Sequence, residues 1–210
     1  MDMTGGKTMA KKFYAVKNGY HIGIFETWEE CQKEVSGYSG AEFKGFATRS
    51  DAEEYLGVNR QISLFDDEIP QTKTAVAYVD GSYNIETKKY GCGVVLFMGG
   101  EEITISRAFS DPDMALMRNV AGEIEGAMAA MRYCIDNNIE EIDLYYDYAG
   151  IEKWCSGEWK TNKAGTINYK RFYDEIKKTV KVNFVKVKGH SGDKYNDMAD
   201  KLAKEAVGVS

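Results

Sequence analysis

Lys186-Val187-Lys188-Gly189-His190-Ser191-Gly192 is the stretch on which the rest of the chain turns, because Asp200 follows ten residues after the His on an apolar-periodic run, Lys194 to Val207. Val182 to Val187 reads as a strand, the glycine-flanked His190 as part of a loop, and Ala199, Leu202, Ala203 and Ala206 as the buried stripe of a helix bordered by Asp200. Upstream, Thr74-Ala75-Val76-Ala77-Tyr78-Val79 is a nearly unbroken apolar strand suited to the middle of a sheet, with Asp80 at its exit. Ile142-Asp143-Leu144-Tyr145-Tyr146 is another strand, closed by Asp147. Gly91 to Phe97 and Glu102 to Phe109 complete an antiparallel meander.

Between these strands the spacing predicts a helix over about Val120 to Asn137, with Ile124, Ala127, Met128, Met131 and Ile135 on one face. It holds two acids, and helical geometry separates them. Glu123 shares a side with Gly126, Ala127 and Ala130, which permit close approach to a sheet, whereas Glu125 is directed toward Arg132. A lone Glu early in a helix is more often a dipole or capping residue. Its candidacy therefore depends on Asp80, Asp147 and Asp200. Four carboxylates in one small site repel each other unless one is protonated or cations are bound. Oxygen-only donors select hard ions such as Mg²⁺ or Mn²⁺.

The order, contexts and spacing of Asp80, Glu123, Asp147, His190 and Asp200 resemble the acid and His set of the type 1 ribonuclease H family, over about residues 73 to 207. The resemblance implies an α/β ribonuclease H-like fold, a mixed five-stranded sheet with helices on both faces. It implies endonucleolytic hydrolysis of the RNA strand of RNA–DNA hybrids, leaving 5′-phosphate and 3′-hydroxyl ends. Two Mg²⁺ ions, with Mn²⁺ able to substitute, would be held by the four acids, one readying the attacking water and the other stabilising the departing oxygen. His190 would assist the leaving group or product release. Gly81, Ser82, Asn84, Arg118 and Asn119 would lie along the substrate, with groove shape and 2′-hydroxyls read rather than bases. Arg118 stands where many relatives have a small hydroxyl residue, and Asn84 where an Asn two positions later is usual. Trp159 comes only twelve positions after Asp147, too soon for the extra basic helix of some relatives, so Lys160, Lys163, Lys170 and Arg171 are expected to compensate in part. The competing reading is a non-catalytic hybrid-binding protein whose acids are structural.

The front of the chain is a separate small α+β unit. Phe13 to Val16 and Ile22 to Phe25 are strands around Asn18-Gly19, Thr27 with Glu30 forms a capping-box pattern, Ala41 to Phe46 is a third strand, and a second helix begins near Ser50. Phe13-Tyr14-Ala15-Val16, Thr27-Trp28-Glu29-Glu30-Cys31 and Phe43-Lys44-Gly45-Phe46 resemble the hybrid-binding domain that precedes many type 1 ribonucleases H. By that resemblance Tyr14, Trp28, Phe43 and Lys44 meet the DNA strand, aromatic faces against deoxyribose and a cation against phosphate. Gly45 replaces a second Lys of some members. Trp28 and Phe43 taken alone would equally suit a tiny core. The expected division is a flexible tail over 1–10, the hybrid-binding domain over 11–57, a linker over 58–73 and the catalytic domain over 74–210.

Within the linker, Gln61-Ile62-Ser63-Leu64-Phe65 is similar to the peptide by which bacterial replication and repair proteins dock on the DNA polymerase sliding clamp. Leu64 and Phe65 are its apolar anchors and Gln61 its polar one. Gly5-Gly6-Lys7-Thr8 lacks the upstream Gly and strand of a phosphate-binding loop. Cys31, Cys92, Cys134 and Cys155 are scattered, without metal-site spacing, and read as free thiols. A net charge of -6 argues against a general nucleic-acid binder, yet Lys160 to Lys194 holds ten Lys or Arg against three acids. With no apolar run of membrane length and a polar start, the expectation is a cytoplasmic, monomeric protein.

Overall fold

The computed structural model describes residues 13–62, 74–188 and 193–209, without side chains at 58–62. The chain divides into two compact units between Val58 and Asn59.

In the first unit, strands β1 (Phe13–Asn18), β2 (Gly23–Phe25) and β3 (Glu42–Phe46) form an antiparallel sheet in the order β2-β1-β3, with helices α1 (Trp28–Val35) and α2 (Arg49–Tyr55). Thr27 and Glu30 close the expected capping box on α1, and Thr48 caps α2 through Asp51. Asn18-Gly19 is not a tight two-residue hairpin. Val16 pairs with Gly23, so the loop is longer, and the Tyr20 amide donates to the Glu34 carbonyl at 2.8 Å. Gly19 is required there because a Cβ would sit 2.6 Å from that same carbonyl oxygen.

The second unit is built on strands β4 (Val58–Ile62), β5 (Ala75–Tyr83), β6 (Tyr90–Met98), β7 (Glu101–Phe109), β8 (Glu141–Tyr146) and β9 (Lys181–Lys186), in the order β4-β7-β6-β5-β8-β9. The inner five strands are the expected mixed sheet, with β5, β6 and β7 antiparallel and β8 and β9 parallel to β5. Its sixth strand falls in the stretch read as linker: β4 lies beside β7, whose outer backbone groups would otherwise be an open edge. Residues 63–73, including Leu64 and Phe65, lie outside the described residues.

Of helices α3 (Pro112–Ala115), α4 (Asn119–Asp136), α5 (Gly150–Ser156), α6 (Ala164–Ile176) and α7 (Lys194–Val207), α4 and α7 lie directly on the sheet, while α5 and α6 pack on α4 and α3 packs on α6. A Cβ on Gly81 would run into α4, at the Asn119 carbonyl and the Glu123 amide, while one on Gly93 would run into α7 at Ala199 and Ala203. The two helices therefore press on opposite faces. The α4 stripe is buried at Ile124, Ala127 and Met131 as expected, but Ile135 is exposed and Cys134 takes the interior position. No helix among the described residues is long and apolar enough to cross a membrane.

Candidate active site

Asp80 lies inside β5 rather than at its exit, because the hairpin with β6 continues to the Tyr83–Tyr90 pair. The parallel pairing with β8 ends at Tyr78 and Tyr145. Two residues further along each strand are Asp80 and Asp147, side by side where β8 leaves the sheet. Asp80 shares its face with its cross-strand partner Gly93, the face covered by α7. Glu123 arrives from the other helix. Because Gly81 and Gly122 have no side chains, the first turns of α4 rest on β5 and β6, and Glu123, 2% exposed, reaches Asp80 and hydrogen-bonds to it. Asp80, Glu123 and Asp147 each present an oxygen, all within 4.8 Å of one another.

Asp200 stands near this trio without joining it. Its Oδ2 accepts from Lys204 Nζ at 2.7 Å, one helical turn on, and its charge still acts on Asp80. Lys204 was not singled out in the sequence, although acid and base four residues apart on one helix are the signal for such a pair. His190 lies outside the described residues.

Burial, with the charges of Asp147 and Asp200, pushes the Asp80 carboxyl up to about 6, despite hydrogen bonds from Glu123 and the Gly81 amide. Burial first, then the charges of Asp80 and Asp147, hold Glu123 well above the usual carboxylate range. Both carboxyls therefore hold a proton more readily than exposed ones. Glu123 Oε2 is buried with no hydrogen-bond partner among the described residues. An orphaned oxygen beside two acids fits a divalent cation, which supplies charge and a bond together. Glu125, by contrast, is half-buried near Arg132 and Arg107, and burial raises it to about 7.

The sign of the pH response follows. The folded state holds these protons more tightly than the unfolded chain, so the stability involved is fully present below about pH 4 and is lost as pH rises through about 6. Without metal, Asp80→Asn is expected to melt about 5 °C above the wild type at pH 8, the gap closing toward pH 4. Paired thermal melts in EDTA check this; a gap independent of pH would contradict it.

Around the trio, Asn119 opens α4 and is exposed, and Ser82 is buried. Arg118, also exposed, is held at φ 54° and ψ −131°, a conformation side chains rarely adopt. Asn84 has little capacity left for a substrate: its Oδ1 accepts from the Glu86 and Thr87 amides, and its Nδ2 donates to the Val207 carbonyl at 2.9 Å. The basic stretch is also less available than its count suggests. Lys170 and Lys177 both bind Asp174 at 2.6 Å, Lys178 binds Glu175, and Lys181 binds Glu141.

In the first unit Trp28 lies 5.6 Å, centroid to centroid, from both Tyr14 and Phe43, with Trp28 and Phe43 about 40% exposed. They form a surface platform rather than a core. Lys44 alternates to the other side of β3, its Nζ 5.4 Å from the Phe46 ring. Gly45 faces Tyr14, where a Cβ would lie 3.5 Å from the ring, so its bareness leaves that ring uncovered.

A mixed sheet covered by helices on both faces, with three acids converging where neighbouring strands end, is an α/β fold whose acids could hold a metal ion. Comparison with known proteins narrows this. Residues 72–208 match the model described as RNase H, and residues 12–56 that of the ribonuclease H1 N-terminal domain. The chain belongs to the ribonuclease H family. Ribonuclease H of Clostridium botulinum is 31% identical over 150 residues, covering 64% of this chain and 96% of that protein. Ribonuclease H1 of Mus musculus is 25% identical over 258 residues, covering 93% and 89%. The solved ribonuclease H1 of the archaeon Halobacterium salinarum superposes with a TM-score of 0.53 at 24% identity, over 63% of this chain and 96% of that one.

Proposed function

We propose that this protein cuts the RNA strand of RNA–DNA hybrids internally, with Asp80, Glu123, Asp147 and Asp200 holding two Mg²⁺ ions, or Mn²⁺ in their place. The meeting of Asp80, Glu123 and Asp147 within one ion's reach is the observation that carries the reading. When bound, such ions supply the Lewis acidity that readies water and stabilises charge on the departing 3′-oxygen, leaving a 5′-phosphate. The chain's own groups do the rest. Gly81, Ser82 and Asn119 line the approach on the RNA side, Arg118 offers a guanidinium to a backbone phosphate, and His190 moves a proton at the leaving group. Ribonuclease H names among the relatives, and one solved relative, LC11-RNase H1, in complex with RNA/DNA hybrid, support the substrate class.

Tyr14, Trp28 and Phe43 would hold the DNA strand through deoxyribose contacts, with Lys44 at the margin. Gln61, Leu64 and Phe65 would dock on a sliding clamp, a reading that rests on sequence alone. Four free, buried thiols suit the reducing cytoplasm, and a monomer suffices for both sites.

The test is a labelled hybrid, the matching RNA duplex and single-stranded RNA, each incubated with protein in Mg²⁺ or EDTA. Only the hybrid should be cut, and only with the ion. Hybrid bound but uncut in either Mg²⁺ or Mn²⁺ would select the non-catalytic reading. Trp28→Ala should weaken hybrid affinity about tenfold, within the range for one lost stacking contact, while single-turnover cleavage at saturating protein stays near wild type. Unchanged affinity would remove the platform from the binding surface.

A further inference from the structure

Asn196, in the first turn of α7, is 2% exposed, and its Oδ1 is buried with no hydrogen-bond partner among the described residues. The backbone gives no use for it. Its amide is already bound by the capping carboxylate of Asp193, at 3.0 Å, so the side chain is free of the cap. A buried orphan acceptor destabilises a fold, and an apolar residue of similar size would fill the space without that cost.

Its neighbours show at which level of the sheet the residue lies. Tyr195, one residue before, packs on the rings of Tyr78 and Phe97. Ala199, three residues on, backs directly onto Gly93, the cross-strand partner of Asp80. Asp200 is four residues on and therefore on the same helical side. Asn196 is thus at the level between Tyr78 and Asp80, within the α7 layer that covers the Asp80 side chain.

We infer that Asn196 is a positioning residue of the acid site, its Oδ1 reserved for a hydrogen bond from a hydration water of the divalent ion. The inference rests on the reading that the acids hold such an ion. Mg²⁺ keeps several of its waters, and those waters are strong donors that need acceptors. A neutral amide oxygen provides one without adding a fifth carboxylate beside Asp80, Glu123, Asp147 and Asp200. Outer partners of this kind orient what the direct ligands hold.

Mg²⁺ titration calorimetry on the full chain, paired with metal-free thermal melts, tests it with wild type, Asn196→Leu, Asn196→Asp and Asp80→Asn. Asn196→Leu should bind Mg²⁺ about tenfold more weakly while its metal-free melting temperature holds or rises. Asn196→Asp, which keeps the acceptor, should bind at least as tightly as wild type. If the Leu variant does not fold, Asn196→Ala carries the same comparison. Affinity of the Leu or Ala variant within about twofold of wild type overturns the inference, as does a lowered metal-free melting temperature with unchanged affinity, the mark of a packing role. Wild type whose Mg²⁺ binding survives Asp80→Asn instead overturns the ion reading of the acids.

Discussion

Asp80→Asn is expected to lower single-turnover cleavage of a hybrid by at least about a thousandfold, near 4 kcal/mol of transition-state stabilisation, while hybrid binding persists. The substitution keeps shape and removes one charge from the centre of the trio, where Asp80 neighbours both Glu123 and Asp147. Neutral Asn is a poor donor to a hard cation, and the two remaining acids would share what is left. The same change relieves repulsion in the metal-free protein, so lost activity should come with gained stability. That opposite movement separates a site residue from a framework residue, for which both would fall. Cleavage at the wild-type rate would take Asp80 out of the chemistry.

Gly122→Ala is expected to be the most damaging single-methyl change in the second unit. Its Cβ would overlap the Gly91 carbonyl oxygen and lie 2.8 Å from the Gly81 Cα, backbone atoms that no rotamer change can move aside. Overpacking of this kind costs about 3 kcal/mol, or roughly 6 to 12 °C in melting temperature for a chain of this size. Pushing α4 outward also displaces Glu123, and a shift near 1 Å can reduce the rate about a hundredfold. Thermal melts and single-turnover assays should therefore fall together. A melting temperature within about 2 °C of wild type with full activity would show that the helix does not rest on this contact.

Much of this was legible in the residues. Long apolar runs announced the inner strands, the Thr27 and Glu30 pair announced α1, and small residues beside Glu123 announced a helix lying close to a sheet. The features without a local signal depend on tertiary partners. Helices α3 and α5 are too short for a periodic signal, and α6 buries Gly165, Thr166, Tyr169 and Ile176 while exposing Ile167, which blurs the hydropathy contrast. The use of Asn84 on a turn and on the end of α7, and of Lys170 on Asp174, depends on which neighbours the fold supplies. Strand alternation alone separates the face of Lys44 from that of Phe43. β4 exists because β7 offers an edge, which no local pattern in Val58–Ile62 reveals.

Gly81, Gly91, Gly93 and Gly122 let peptide groups touch peptide groups through the centre of the second unit. Peptide planes have no χ angles, so the separation between Asp80 and Glu123 is inherited from main-chain geometry rather than from how neighbouring side chains happen to settle. The acids thus form a cage with stiff corners, in which the soft adjustment lies in the last torsions of the carboxylates themselves.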